Sequence, residues 1–321
     1  MNTRGPVPNS TAGKSMRDTF VKTLEELAAD DRRITLITGD LGFGVLDRFA
    51  RDFPAQYINA GVAEQNMTGV AAGMALEGKT VFTYSIGNFP TLRCLEQIRN
   101  DVAYHDANVK IVAIGGGFSY GALGMSHHAT EDIAILRALP NVKVYAPCDV
   151  TETQALTRQL VREPGPAYLR LDKSSVDRKH DVAFDAGKLR CLRPGVDVTI
   201  IGYGGILQEA IQAAERLDLE GIACGVYSAH TLKPFDVATL RQLVGTVPHL
   251  VTLEEHVSTG GLASLVAQEL VAARLMPRSW CPIALPDAYS SIVGSQDYLR
   301  VRHQMDASAI AGRIRACVTG Q

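Results

Sequence analysis

Paired cysteines are missing from this sequence. The six present, Cys94, Cys148, Cys191, Cys224, Cys281 and Cys317, form no CxxC pair and no metal-ligand spacing. Several sit in apolar runs, as reduced thiols do, which argues against a disulfide framework and for a cytoplasmic protein. Apolar runs of roughly 20 residues, the length of a membrane span, are missing too, so no membrane association is expected. The opening stretch MNTRGPVPNSTAGKS has no apolar core of the kind a signal peptide needs. Nor does one charge dominate. The 32 Lys and Arg are spread along the chain against 34 Asp and Glu, which excludes the footprint of nucleic-acid or membrane-surface binding. What is present is a globular composition, 46% hydrophobic and 21% charged over 321 residues, enough for two domains of ordinary size.

Residues 1–14, rich in Gly, Pro, Ser and Asn, are expected to form a mobile tail. Ser15 can cap a helix running to about Ala29, with Phe20, Leu24 and Leu27 at helical spacing. Strand-like apolar runs then alternate with helical ones: RITLITGD (33–40), a helix over 61–77, TVFTYSI (80–86), a helix over 91–105, VKIVAIGGG (109–117). A helix over 131–139, VKVYAP (142–147), a helix over 150–163 and PAYLRL (166–171) complete the series. Strands that are continuously apolar argue a parallel sheet covered on both faces, in which ligands bind beyond the carboxyl ends of the strands. A charged, apolar-poor stretch (172–188) interrupts this rhythm, and a second strand–helix series follows from about 196. The chain reads as two α/β domains joined near residue 180.

Among candidate motifs, GYGG (202–205) lacks the third glycine of a dinucleotide site and reads as a plain strand-to-helix turn. Gly39–Asp40 is followed by Leu41, so it does not complete a Gly-Asp-Gly magnesium motif. Asp40 is placed either for a substrate polar group or as a cap. His127 and His128 lie in a glycine-flanked loop after a buried strand. They suit either a surface loop or hydrogen bonding to substrate oxygens. Glu64 opens the helix in NAGVAEQNMTGVAAGMALEG (59–78), on the line continued by the small residues Thr68, Ala71 and Ala75. With Gly61 as N-cap it would occupy the third helical position of a capping box; a functional carboxylate is the other reading.

YINAGVAEQNMTGVAAGMALEGKTVFTYSI resembles the pyrimidine-binding domain of the transketolase family of thiamine diphosphate enzymes. The resemblance continues through CLEQIRNDVAY, GGFSYGALGMSHHATEDIAILRALPNVKVYAPCD and LVTLEEHVSTGGLASLVAQEL, and covers the chain from about Ser15. It implies a pyrimidine-binding domain over 15–175, a linker over 176–190 and a transketolase C-terminal domain over 191–321, each a mostly parallel sheet covered by helices. Only the C-terminal half of a full transketolase is matched, as in split transketolases. A partner chain with the Gly-Asp-Gly…Asn motif is therefore implied, holding Mg2+ and the diphosphate, in an α2β2 assembly, with a homodimer when this chain is alone.

By the same resemblance Glu64 matches the glutamate that hydrogen-bonds N1′ of the aminopyrimidine and so promotes loss of the thiazolium C2 proton. His127 matches the histidine that contacts the donor's hydroxyls, with His128 beside it. Phe89 is the candidate for stacking on the pyrimidine, with Phe82 and Tyr84 as alternatives. Lys173 falls near the family's phosphate-binding arginine, next to Arg170. Two departures stand out: Gly115 where ordinary transketolases have a phosphate-binding histidine, and Leu123 where they have an aspartate that reads sugar hydroxyls. The implied activity is transfer of a two-carbon ketol unit from a ketose to an aldose, with a specialised sugar or sugar phosphate as substrate. A deoxyxylulose-phosphate synthase-like subunit, a 2-oxoacid dehydrogenase beta-type subunit and a non-catalytic partner subunit are the alternatives.

Overall fold

The computed structural model describes residues 15–177 and 184–320; the expected tail over 1–14 and the centre of the expected linker lie outside the described residues. The first domain runs α1 (Met16–Asp30), β1 (Ile34–Thr38), α2 (Asp47–Asp52), β2 (Tyr57–Asn59), α3 (Glu64–Leu76), β3 (Thr80–Ile86) and α4 (Leu95–Gln97). It continues with β4 (Val109–Ile114), α5 (Asp132–Ala138), β5 (Lys143–Tyr145), α6 (Val150–Arg162) and β6 (Ala167–Leu171). The second contains β7 (Arg190–Arg193), β8 (Val198–Gly202), α7 (Leu207–Asp218), β9 (Cys224–Ser228), β10 (Thr231–Lys233) and α8 (Val237–Thr246). It ends with β11 (His249–Val257), α9 (Leu262–Ala273), β12 (Ser279–Leu285), α10 (Gln296–Arg302) and α11 (Ala307–Thr319). Among the described residues no helix is long and apolar enough to cross a membrane.

The strands build two sheets, ordered β10-β5-β6-β4-β3-β1-β2 and β12-β11-β8-β9-β7. All pairings are parallel except those of β10 with β5 and β7 with β9. Both faces of the first sheet are covered, which is why its central strands are buried almost throughout and mostly apolar. Phe20 and Leu24 of α1 and Leu156 of α6 pack on one face with Leu36, Phe82 and Val112. Met67 and Ala71 of α3 pack on the other with Ile37, Val81 and Ile111. The Ser15 hydroxyl accepts the Asp18 N–H at 3.1 Å and caps α1 as expected.

Three local features depart from the sequence reading. The third helix begins at Glu64, not near Gly61; Gly61 takes φ +72° and the N-cap is Ala63, which offers no side-chain bond. The segment over 91–105 is helical but broken into a 3-10 turn (Leu92–Cys94), α4 and a π-helical stretch (Ile98–Ala103). Strand β10, from the second half of the chain, pairs with β5 and so completes the edge of the first sheet.

Buried charge joins the two domains. Arg170, on β6 and 1% exposed, pairs with Asp132 at 3.2 Å and Asp172 at 3.3 Å, and donates to the Glu255 carbonyl across the domain boundary. The Glu255 carboxylate accepts from the Phe118 N–H, from Gln296 and from Arg300 at 2.7 Å. Burial pushes the Glu255 carboxyl up, but Arg300 and the other donors outweigh it and the group is held below its ordinary value. A Cβ on Gly116 would lie 1.8 Å from the Arg170 Nε, so glycine is the residue that lets this network close. Removing one member of a buried pair leaves an uncompensated charge. Arg170→Met should therefore cost about 3–5 kcal/mol in urea unfolding, whereas Arg33→Met, at an exposed pair, should leave stability nearly unchanged. Equal, small effects of the two would contradict the structural role of Arg170.

Candidate active site

The loops after β1 and β3 meet the N-terminus of α3 at Glu64, and the loops after β4 and β6 adjoin them through His127, Tyr120 and Lys173. Glu64 is the first helical residue, 3% exposed, in the turn where the helix dipole favours a negative charge. Gly39, at the end of β1, makes room for it: a Cβ there would approach the Glu64 Cγ to 3.0 Å. The carboxylate Oε2 accepts from Arg93 Nη1 at 2.8 Å. The Arg93 Cζ lies 4.4 Å from the centre of the Phe89 ring, and His127 meets that ring edge-on at 5.1 Å. On the other side of His127 stands Tyr120, at 6.5 Å, with Lys173 Nζ 3.6 Å from its ring centre. Glu64, Arg93, Phe89, His127, Tyr120 and Lys173 thus form one continuous row of contacts.

This geometry decides several sequence readings. Glu64 is not in a capping box, because it stands at the first and not the third helical position and its carboxylate bonds a side chain. The small-residue line of α3 is part of the core: Thr68, Ala71 and Ala75 are buried, and α3 packs on β3 and the 92–103 segment. Phe82 and Tyr84 cannot stack on a ligand, since both are buried and pack on Phe20 of α1. Arg170 is sealed in the interdomain network and cannot bind a substrate anion. Asp40 caps no helix: its carboxylate accepts from Asn59 Nδ2 at 3.0 Å, and its own N–H donates to Asn59 Oδ1. His128 is buried, with Nε2 3.2 Å from the Gly121 carbonyl and Phe118 against its ring. It lines a cavity of about 120 Å³ together with Asn88, Phe118 and His303.

Phe89, His127 and Lys173 remain accessible, with Phe89 and His127 half-buried. The Gly115 departure also has a physical cause. A Cβ on Gly115 would meet the Tyr120 ring at 2.2 Å, so Tyr120 fills the room a histidine there would need. Arg93 and Tyr120 escaped the sequence reading. The signal for Arg93 was weak, because it is one of two arginines in the charged 91–105 segment, four residues after Phe89, and that helix changes pitch. Cys148, Asp149 and Glu152 lie close enough to share a metal ion, but the Arg190 guanidinium already bridges the two carboxylates at 2.8 and 3.1 Å.

Comparison with known proteins places this arrangement. Residues 12–179 match the transketolase pyrimidine-binding domain, and residues 187–310 match the transketolase C-terminal domain. The chain belongs to the transketolase family. A relative from Phocaeicola vulgatus, one of the subunits of an apulose-4-phosphate transketolase, is 39% identical over 79% of this chain and 83% of its own. The 6-deoxy-6-sulfo-D-fructose transketolase subunit of a Clostridium species is 36% identical over 92% of both chains. A solved split-gene transketolase, described as an inactive beta4 tetramer, superposes with a TM-score of 0.87 at 34% identity, over 96% of this chain and 99% of that one. The row from Glu64 to Lys173 lies within the pyrimidine-binding domain.

The His127 imidazole is held below its ordinary pKa, first by partial burial and then by the neighbouring His128. A depressed value means the neutral ring persists to lower pH. In a proton NMR titration His127 should therefore change ionisation below the usual histidine value of about 6.5. A midpoint at or above that value would contradict the environment described.

Proposed function

We propose that this chain is the C-terminal subunit of a split transketolase that transfers a two-carbon ketol unit from a ketose to an aldose. The observation that carries this reading is Glu64: a buried carboxylate in the first turn of α3, linked through Arg93 to the half-buried Phe89 ring, in a chain with the transketolase pyrimidine-binding and C-terminal domains. These residues fit the pyrimidine half of thiamine diphosphate. Bound, that cofactor would supply the carbon nucleophile that no amino-acid side chain offers. Glu64 would hold a proton against the pyrimidine N1′, and Phe89 would cover the ring. His127, neutral and half-buried, would orient the donor's hydroxyls, and Lys173 offers the exposed positive charge for an anionic group on the sugar.

The magnesium–diphosphate half is assigned to a partner chain carrying Gly-Asp-Gly…Asn, because Asp40 is engaged by Asn59 and is followed by Leu41. Val62, two residues before Glu64, and Val70 and Leu76, further along α3, expose apolar surface that such a partner could cover. The beta4 relative supports self-association of this chain without its partner, and the reading is an α2β2 enzyme working in the cytoplasm. A specialised sugar phosphate is the proposed substrate. Tyr120 over Gly115 and the exposed Leu123 replace two polar contacts of ordinary transketolases, and the named relatives act on uncommon sugars.

Alone, the chain should bind thiamine diphosphate weakly and show negligible activity; micromolar binding by the isolated chain in calorimetry would count against the split arrangement. With the partner, Glu64→Gln keeps the side-chain volume but loses the proton. Turnover and deuterium exchange at the cofactor C2 should fall by about 10² to 10⁴ while the melting temperature holds. Exchange at the wild-type rate would sink the assignment of Glu64. His127→Ala should spare that exchange and impair use of the donor.

A further inference from the structure

Arg93 makes two contacts at once: its guanidinium lies over the Phe89 ring and donates to Glu64. These are the two contacts that the proposed function gives to the aminopyrimidine, a ring stacked on Phe89 and a nitrogen bonded to Glu64. Guanidinium and aminopyrimidine are both flat, delocalised and edged with nitrogen, so each suits an aromatic face and a carboxylate. Both cannot be there together.

The Arg93 side chain is otherwise loosely held. It is 44% exposed, and among the described residues Glu64 is its one hydrogen-bonding partner. Glu64, by contrast, is fixed: it is 3% exposed, in the first turn of α3, with Gly39 against its Cγ. A carboxylate so far from water is costly unless partnered, and Arg93 partners it in the free chain.

Resting on the ketol-transfer reading, we propose that Arg93 is a built-in stand-in for the cofactor's pyrimidine, holding Glu64 and Phe89 until the ring arrives and displaces it. An intramolecular competitor lowers the apparent affinity by the fraction of time it occupies the site. Arg93 is then a positioning residue that sets how tightly the assembled enzyme holds its cofactor. It keeps Glu64 from adopting an unpaired state that would loosen the start of α3.

The test is a double-mutant cycle on the complex reconstituted with the partner chain, titrated with thiamine diphosphate at fixed Mg2+ in a calorimeter. Arg93→Met keeps an unbranched apolar stem over Phe89 and removes charge and donors. It should tighten cofactor binding about three- to tenfold relative to wild type. In a Glu64→Gln background the same change should alter binding by no more than about twofold, because the pair it relieves is already broken. Melting curves of each subunit verify that the variants fold; if Arg93→Met does not, Arg93→Gln gives the same comparison. Unchanged or weaker binding on losing Arg93 overturns the inference and leaves the ketol-transfer reading standing. A wild-type complex that binds no thiamine diphosphate overturns that reading and the inference with it.

Discussion

A carboxylate taken out of water must find a partner, and where each buried carboxylate finds one organises this chain. Asp132 and Asp172 close on Arg170, Glu255 on Arg300, and Asp149 and Glu152 on Arg190, all between side chains that are almost wholly buried. Glu254 accepts from the first backbone N–H groups of α9 and from Tyr203. In each case the counter-group is as deeply buried as the acid. Glu64, like Glu25 and Asp236, differs from these in having a partner that reaches the surface, here the half-exposed Arg93. On the proposed reading, that open partner is what leaves Glu64 free to turn to a cofactor.

Glycine makes the arrangement possible where side chains would collide. Gly116 and Gly117 leave β4 directly under Arg170 and Glu255, and Gly204 admits the Asp172 carboxylate. The glycine run after β4 therefore serves the domain interface at two of its positions and the candidate site, through Gly115 and Tyr120, at the third. A loop that looks in sequence like a single ligand-binding element is shared between holding the domains together and seating Tyr120 at the candidate site.

Much of the architecture was legible because a sheet covered on both faces favours strands that are apolar on both sides, and β1, β3, β4 and β6 are buried almost throughout and mostly apolar, with Lys110 and Arg170 as their charged members. The same double cover hid which face a residue serves. Phe82 and Tyr84 alternate onto the α1 side, and Arg170 looked free because Asp132 and Glu255, which help to seal it, are remote in sequence. Glu64 is a candidate through its resemblance to the family glutamate, not through periodicity. A helix start depends on backbone angles at Gly61 and Ala63 that residue types alone leave open. Short edge strands such as β2, β7 and β10 carry too few residues to show a pattern.

Strand β10 limits how modular the two halves are. It leaves the second domain after β9, crosses to lie antiparallel on β5, and returns to enter α8. Cutting the chain near residue 180 would thus strip the first sheet of its outermost strand. The exposed main-chain groups of β5 would become a template for pairing with other chains. Neither half is a self-sufficient building block. Any evolutionary or engineered exchange of one domain has to carry this three-residue strand along with the sheet it completes rather than with the domain that encodes it.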